Sequence, residues 1–195
     1  MIRWKYFVGL WIALVGVTFS QTAAPVDVVK SAEASVQALG AKIVNGEHQA
    51  AIDSMYPQWK ERMAKRSGGM AELEKSLRGI GDLLARSGIS VISVKTHGVP
   101  TSHEVWPGKS SDGAVNYTKW MVMVPTVTRM RVLREGTPKP ILIDSYGFQV
   151  AIADKGSDEW RFINGSDVSV ADLRSLFTSL PGNLELPEVK REQVK

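Results

Sequence analysis

Hydrophobic positions divide the chain into a helical half and a strand half. Between Asp27 and Val44, the residues Val29, Ala32, Val36, Leu39 and Ile43 recur at spacings of three and four. That spacing puts them on one stripe of an amphipathic helix. Asn45-Gly46 follows as a stop, because glycine takes the left-handed conformation that ends a helix at little steric cost. A second helical stretch, EHQAAIDSMY, runs up to Pro57, and PQWKERMAKR makes a short third that Ser67-Gly68-Gly69 breaks. Met70, Leu73, Leu77, Ile80 and Leu84 carry a fourth stripe up to Gly88, with Gly79 and Gly81 as weak points inside it.

From Ile89 the period changes to two. ISVISVKTH alternates and is rich in β-branched residues, and VPTSHEVW reads as a shorter strand before the turn signal PGKSSDG. VNYTKWMVMVPTVTRMRVLRE is a long strand in which Pro125, lacking an N–H for the ladder, predicts a bulge or an edge. Beyond the loop GTPKP, ILIDSYGFQVAIA is a second long strand, with Gly147 as its expected bulge or bend. Lys155-Gly156-Ser157-Asp158 turns the chain and EWRFI returns antiparallel. Trp160 and Phe162 then share a face, and packing accounts for the pair. Ser166 and Asp167 are the expected caps of a helix in VSVADLRSLFTSL, and the proline-punctuated tail is expected to drape or fray. Met121 and Met123 alternate with Trp120 and Val122, so both faces of that strand are expected to be covered, by wrapping or by a second copy.

The first residues bear on compartment. MIRWKY carries Arg3 and Lys5 without an acid, and FVGLWIALVGVTF runs from Phe7 to Phe19 without a charge. A basic start and a short apolar run predict a signal peptide over residues 1–20, with Thr18 and Ser20 placed for a cut before Gln21. The run is shorter than the about 20 apolar residues of a membrane-crossing helix. The chain has 0 cysteines, which fits a bacterial envelope protein better than a disulfide-stapled secreted domain. The expectation is a periplasmic or secreted protein: one domain over 21–187, large enough for its own core, and a polar tail over 188–195. Taking Arg3 and Lys5 from 24 basic residues, against 20 acidic ones, leaves an excess of two. Such a balance does not point to nucleic acid, and contact with the membrane is expected only through the leader.

The second half resembles exported bacterial members of the nuclear transport factor 2-like superfamily. The likeness rests on a Val124-Pro125 strand, the long strand Ile141–Ala153, and a hairpin Gly156–Gly165 similar to the family's G-x-x-W-x-F, here with three residues between Gly156 and Trp160 and with Asn164 in an acidic position. A short helix and a proline-punctuated tail complete it, over about residues Val28 to Pro187. The resemblance implies an α+β fold in which N-terminal helices pack into a strongly curved antiparallel sheet, a cone-shaped barrel, followed by a short C-terminal helix. The superfamily holds ketosteroid isomerases, dehydratases and polyketide cyclases beside noncatalytic binding domains, so the fold does not choose the function.

Familiar catalytic motifs are absent. There is no Walker loop, no dinucleotide fingerprint, no HExxH and no nucleophile elbow, and cysteine chemistry has no residue to use. His97, His103 and Glu104 have generic spacing and fall short of a metal set, so no metal and no cofactor is expected. Even positions on Ile141–Ala153 (Leu142, Asp144, Tyr146, Phe148, Val150, Ile152) are the bulkier face and are expected inside. Desolvation there would raise the pKa of Asp144 and suit it to a general base, as a strand aspartate serves in ketosteroid isomerases, with Tyr146 or His97 as proton partner. Tyr56, Trp59, Trp120 and Tyr146 could instead line a mouth for a flat or apolar ligand. The main expectation is an exported noncatalytic domain that binds a small apolar molecule, a peptide or a protein partner. The alternative is an isomerase or dehydratase built on Asp144, and a homodimer through the sheet is a further candidate.

Overall fold

A computed structural model describes residues 22–109, 115–133, 136 and 139–194. The expected leader lies outside them, as do most of the turn PGKSSDG and part of the loop GTPKP. Among the described residues, no helix is long and apolar enough to cross a membrane. Helices come first: α1 (Val26–Val44), α2 (Gln49–Asp53), α3 (Pro57–Arg66), α4 (Met70–Arg78) and α5 (Ile80–Arg86). Gly46 ends the first with a φ of +83°, and the expected fourth helix parts at Gly79 into α4 and α5. Strands β1 (Ile89–Thr96), β2 (Thr101–Lys109), β3 (Val115–Val132), β4 (Ile141–Asp154) and β5 (Arg161–Asn164) follow. A short helix, α6 (Val170–Leu176), and a last strand, β6 (Lys190–Gln193), complete the chain. The architecture is α+β: N-terminal helices packed on a six-stranded antiparallel sheet, with a short C-terminal helix.

The sheet is built on the β3–β4 hairpin, whose register is unbroken from Lys119 opposite Asp154 to Val132 opposite Ile141. Gly147 therefore makes no bulge in this ladder; it faces Thr126 in register. β1 and β2 lie end to end along the outer side of β3, and β5 and β6 likewise along β4. The two outer rows do not pair with each other, so the sheet is neither closed nor strongly curled. This corrects the expected cone. A barrel needs its edge strands to meet and hydrogen-bond, and here each edge is finished separately. At β5 the edge takes up Ser54–Tyr56: the Phe162 N–H donates to the Ser54 carbonyl at 2.8 Å, and the Tyr56 N–H donates to the Phe162 carbonyl at 2.9 Å.

Pro125 sits where the other row is interrupted. Thr96 pairs with Thr126 and Thr101 with Met123, so His97–Pro100 lie opposite only Val124 and Pro125. The His97 N–H donates to the Pro125 carbonyl at 2.8 Å. A strand residue presents its N and its C=O to the same neighbour, so the N–H that proline lacks would have pointed into this gap. The expected irregularity is there, confined to one side of β3.

Both faces of the hairpin are covered. Trp120, Val122, Val124, Ala151 and Ala153 pack against Ala32 and Val36 of α1, together with Trp160 and Phe162. Met121, Met123, Phe148, Val150 and Ile152 face the other way, onto Tyr56 and Trp59 of the α3 region and Leu173 and Phe177 of the α6 region. The chain's own helices thus cover Trp120–Val124 and the buried residues between Phe148 and Ala153. The tail is more ordered than its polarity suggested, because Leu184 is buried with the α6 core and Lys190–Gln193 pair with β4.

α6 starts later than expected. Gly165–Asp167 form a single 3₁₀ turn, and Ser169 caps α6 in a reciprocal capping box with Asp172. Arg66 reaches Asp172 from α3 at 2.8 Å. The Ser169 hydroxyl and then Arg66 hold the Asp172 carboxyl at about 2, below its ordinary 3.8. A lowered folded-state pKa contributes stability that is complete above the ordinary value and lost as pH falls through the folded one. Asp172→Ala should therefore cost about 1–2 kcal/mol at pH 7, read as a lower urea midpoint, and the gap to wild type should narrow between about pH 4 and pH 2.

Candidate functional site

Tyr146 lies on the even face of β4, in register with Val127 of β3 on one side and Lys190 of β6 on the other. His97 reaches the same place from the β1–β2 junction, where Gly98 (φ +79°) turns the chain out of the ladder. The two rings meet edge to face at 5.4 Å between centroids and 65° between planes. The Lys190 ammonium stands 5.2 Å from the centre of the Tyr146 ring, in cation–π range. A cleft of about 320 Å³ opens here, walled by His97, Pro125, Tyr146, Pro187 and Lys190. Its outer wall is the strap from Pro187 to Lys190, which crosses to join β6. Glu192 and Glu188 flank Lys190 at 3.0 and 3.8 Å, and the hydrogen bond that the ammonium donates to Glu192 is the main cause of its raised pKa.

Asp144 is two residues from Tyr146 on the same strand face, but its surroundings differ from those expected. Arg129 stands directly opposite in the ladder and grips the carboxylate with two bonds of 2.7 Å, Nε to Oδ1 and Nη2 to Oδ2. That hydrogen bonding holds the Asp144 carboxyl below its ordinary value, against a smaller opposing push from burial. The direction reverses the sequence expectation of a raised pKa. A paired, forked Arg–carboxylate bond favours the charged form, and the mostly buried side chain offers no offsetting loss of solvation large enough to win. Asp144 is also not among the residues that wall the cleft.

Of the expected aromatic mouth, the structure brings together only part. Tyr56 and Trp59 are buried in the core beneath α3 and α6. Trp120 faces α1 on the opposite side of the sheet, under the Lys155 ammonium at 4.5 Å. Tyr146 lies farther along β4. The four rings therefore do not share one opening, while His97 and Tyr146 do meet. His103 lies on β2, its pKa lowered by burial, and among the described residues no cluster of three histidine, aspartate or glutamate side chains forms a metal site.

Two participants escaped the sequence reading. Lys190 belongs to the run KREQ, whose polarity carries no strand signal; only pairing to β4 brings it over Tyr146. Arg129 had a usable signal. Counting equally back from both ends of the β3–β4 loop, from Val132 and Ile141, sets Arg129 opposite Asp144. No protein-family model, curated protein or solved structure matches the chain.

Proposed function

We propose that the protein is an exported, noncatalytic binding domain that takes a small, flat, largely apolar ligand in the His97–Tyr146 cleft. The observation that carries this reading is the cleft's construction. It offers two rings set edge to face and two prolines, with charge only at the strap. Such walls bury apolar area and orient a flat molecule, which is what a binding pocket needs. The clamp of Arg129 on Asp144 argues against the isomerase reading, because a carboxylate held this firmly in its charged form is a poor proton acceptor near neutral pH. Export rests on the basic start and the uncharged run Phe7–Phe19.

The test is a native mass spectrum of the protein exported by a bacterial host, beside Tyr146→Ala. The wild type should carry a discrete extra mass that leaves on denaturation, and Tyr146→Ala should lose it while remaining folded. A mass retained by Tyr146→Ala, or bare spectra from both proteins, would count against the cleft.

A further inference from the structure

The walls of the His97–Tyr146 cleft differ in firmness. Pro125 and Tyr146 belong to the unbroken β3–β4 ladder, and the His97 N–H is tied to the Pro125 carbonyl at 2.8 Å. The facing wall, Pro187, Glu188 and Lys190, comes from the strap that leads into β6. The chain is anchored just before the strap, where Leu184 is buried and Leu186 packs against the α6-side core. Residues 188–193 are all exposed. β6 pairs only with β4, from Tyr146 opposite Lys190 to Ile143 opposite Gln193, and the Val194 N–H then donates to the Leu142 carbonyl at 2.9 Å. The Lys190 ammonium, 5.2 Å from the centre of the Tyr146 ring, latches the strap to β4. Its carboxylate partners Glu188 and Glu192 ride on the strap itself, so those ion pairs do not hold it down. Backbone bonds bared to water, with little apolar burial behind them, place a segment at the low end of local stability.

We propose that the strap over residues 187–193 is the gate of this cleft. β6 peels from β4 about a pivot at Leu186 and Pro187, and ligands enter and leave past the freed edge. The gate rests on the reading of the cleft as a binding site. It is open to a direct test, because the chain has 0 cysteines and one engineered pair can pin it. The bond between Val194 and Leu142 fixes the alternation of the ladder. Asp144 with Glu192 and Tyr146 with Lys190 are hydrogen-bonded pairs, and Ser145 with Arg191 is a non-hydrogen-bonded one. Cα atoms in such a pair lie about 4.5 Å apart, within the about 4.4–6.8 Å that a disulfide spans. Neither Ser145 nor Arg191 walls the cleft, so the lock leaves its lining unchanged.

The test compares protein from the full-length gene carrying Ser145→Cys with Arg191→Cys, oxidised and reduced, beside wild type. In wild type and in the reduced form, the amides of Asp144, Tyr146, Lys190 and Glu192 should exchange hydrogen as a set. They should do so about 100-fold faster than those of Val122 and Val150 in the central ladder. N-phenyl-1-naphthylamine, a neutral apolar fluorescent probe, should bind the reduced form. The disulfide should slow its association in stopped flow by about tenfold, with dissociation slowed in step, and dithiothreitol should restore both rates. Ladder-like protection of the β6 amides, or equal probe rates with and without the disulfide, would overturn the gate and leave the cleft standing. Fast exchange without saturable probe binding, or binding that Tyr146→Ala leaves intact, would count against the cleft itself, and the gate would fall with it.

Discussion

Gly165→Ala should lower the melting temperature by about 6–12 °C, one of the largest effects expected from so small a change. Gly165 is buried in the 3₁₀ turn after β5, and a Cβ built there would stand 2.5 Å from the Phe148 carbonyl oxygen and 2.6 Å from two atoms of the Phe148 ring. Neither neighbour can yield cheaply. The carbonyl belongs to β4 within the unbroken β3–β4 ladder, and the ring is buried in the α3–α6 core. The turn would have to lift instead, pulling Asn164 from Gln149 and loosening Val168. Overpacking a rigid site costs about 1–3 kcal/mol and more where backbone must move; about 3 kcal/mol is expected here. At 2–4 °C per kcal/mol for a chain of this size, that gives the shift above. Gly147→Ala, on β4 next to Phe148, is the control: no atom lies within 4 Å of its added Cβ, so thermal unfolding should change little. A Gly165→Ala protein melting within about 2 °C of wild type would show that the turn yields easily.

That contrast marks what periodicity can and cannot convey. The stripe Val29-Ala32-Val36-Leu39-Ile43 located α1 because a 3.6-residue repeat is local to one element. The alternation around Trp120–Val124 predicted two covered faces for the same reason, and Trp160 and Phe162 pack together on α1's side as their spacing implied. Closure of the sheet is not local. It depends on whether β1–β2 and β5–β6 meet, and on whether Ser54–Tyr56 takes the β5 edge, which no repeat in either segment encodes. Gly147 read as a bulge because glycine permits one, but permission is not a requirement when Thr126 lies in register opposite. The cap of α6 is Ser169 and not Ser166 or Asp167: all three are good caps, and the choice falls to Asp172, which both closes the box and meets Arg66. In the candidate site the sequence brought His97 and Tyr146 into view. It hid Lys190, because that placement depends on pairing to β4, which the polarity of KREQ does not flag.

Trp59→Ala should be still more damaging, costing about 3–4 kcal/mol. Trp59 is 2% exposed and heads the fully buried side chains by volume, packed between the sheet and α6. Truncating a buried tryptophan to alanine costs about 3–5 kcal/mol, the sum of lost transfer energy and the cavity left behind. Two features set the value within that range. Met121 and Met123 belong to the same cluster, and their flexible thioether chains can relax partway into the gap, which argues for the lower end. The Arg66 guanidinium, 5.6 Å from the ring centre, loses its aromatic partner, which adds a smaller cost. Trp120→Ala, on the other face, should cost less, because Trp120 is at the margin of the core it shares with α1, with Lys155 over its ring. Against a typical domain stability of 5–15 kcal/mol, the loss at Trp59 leaves the fold intact but close to its threshold. Urea unfolding should show a lower midpoint with an unchanged slope, since the surface exposed on unfolding is nearly the same. A loss below about 1 kcal/mol would mean that the α3–α6 side of the sheet is not a rigid core.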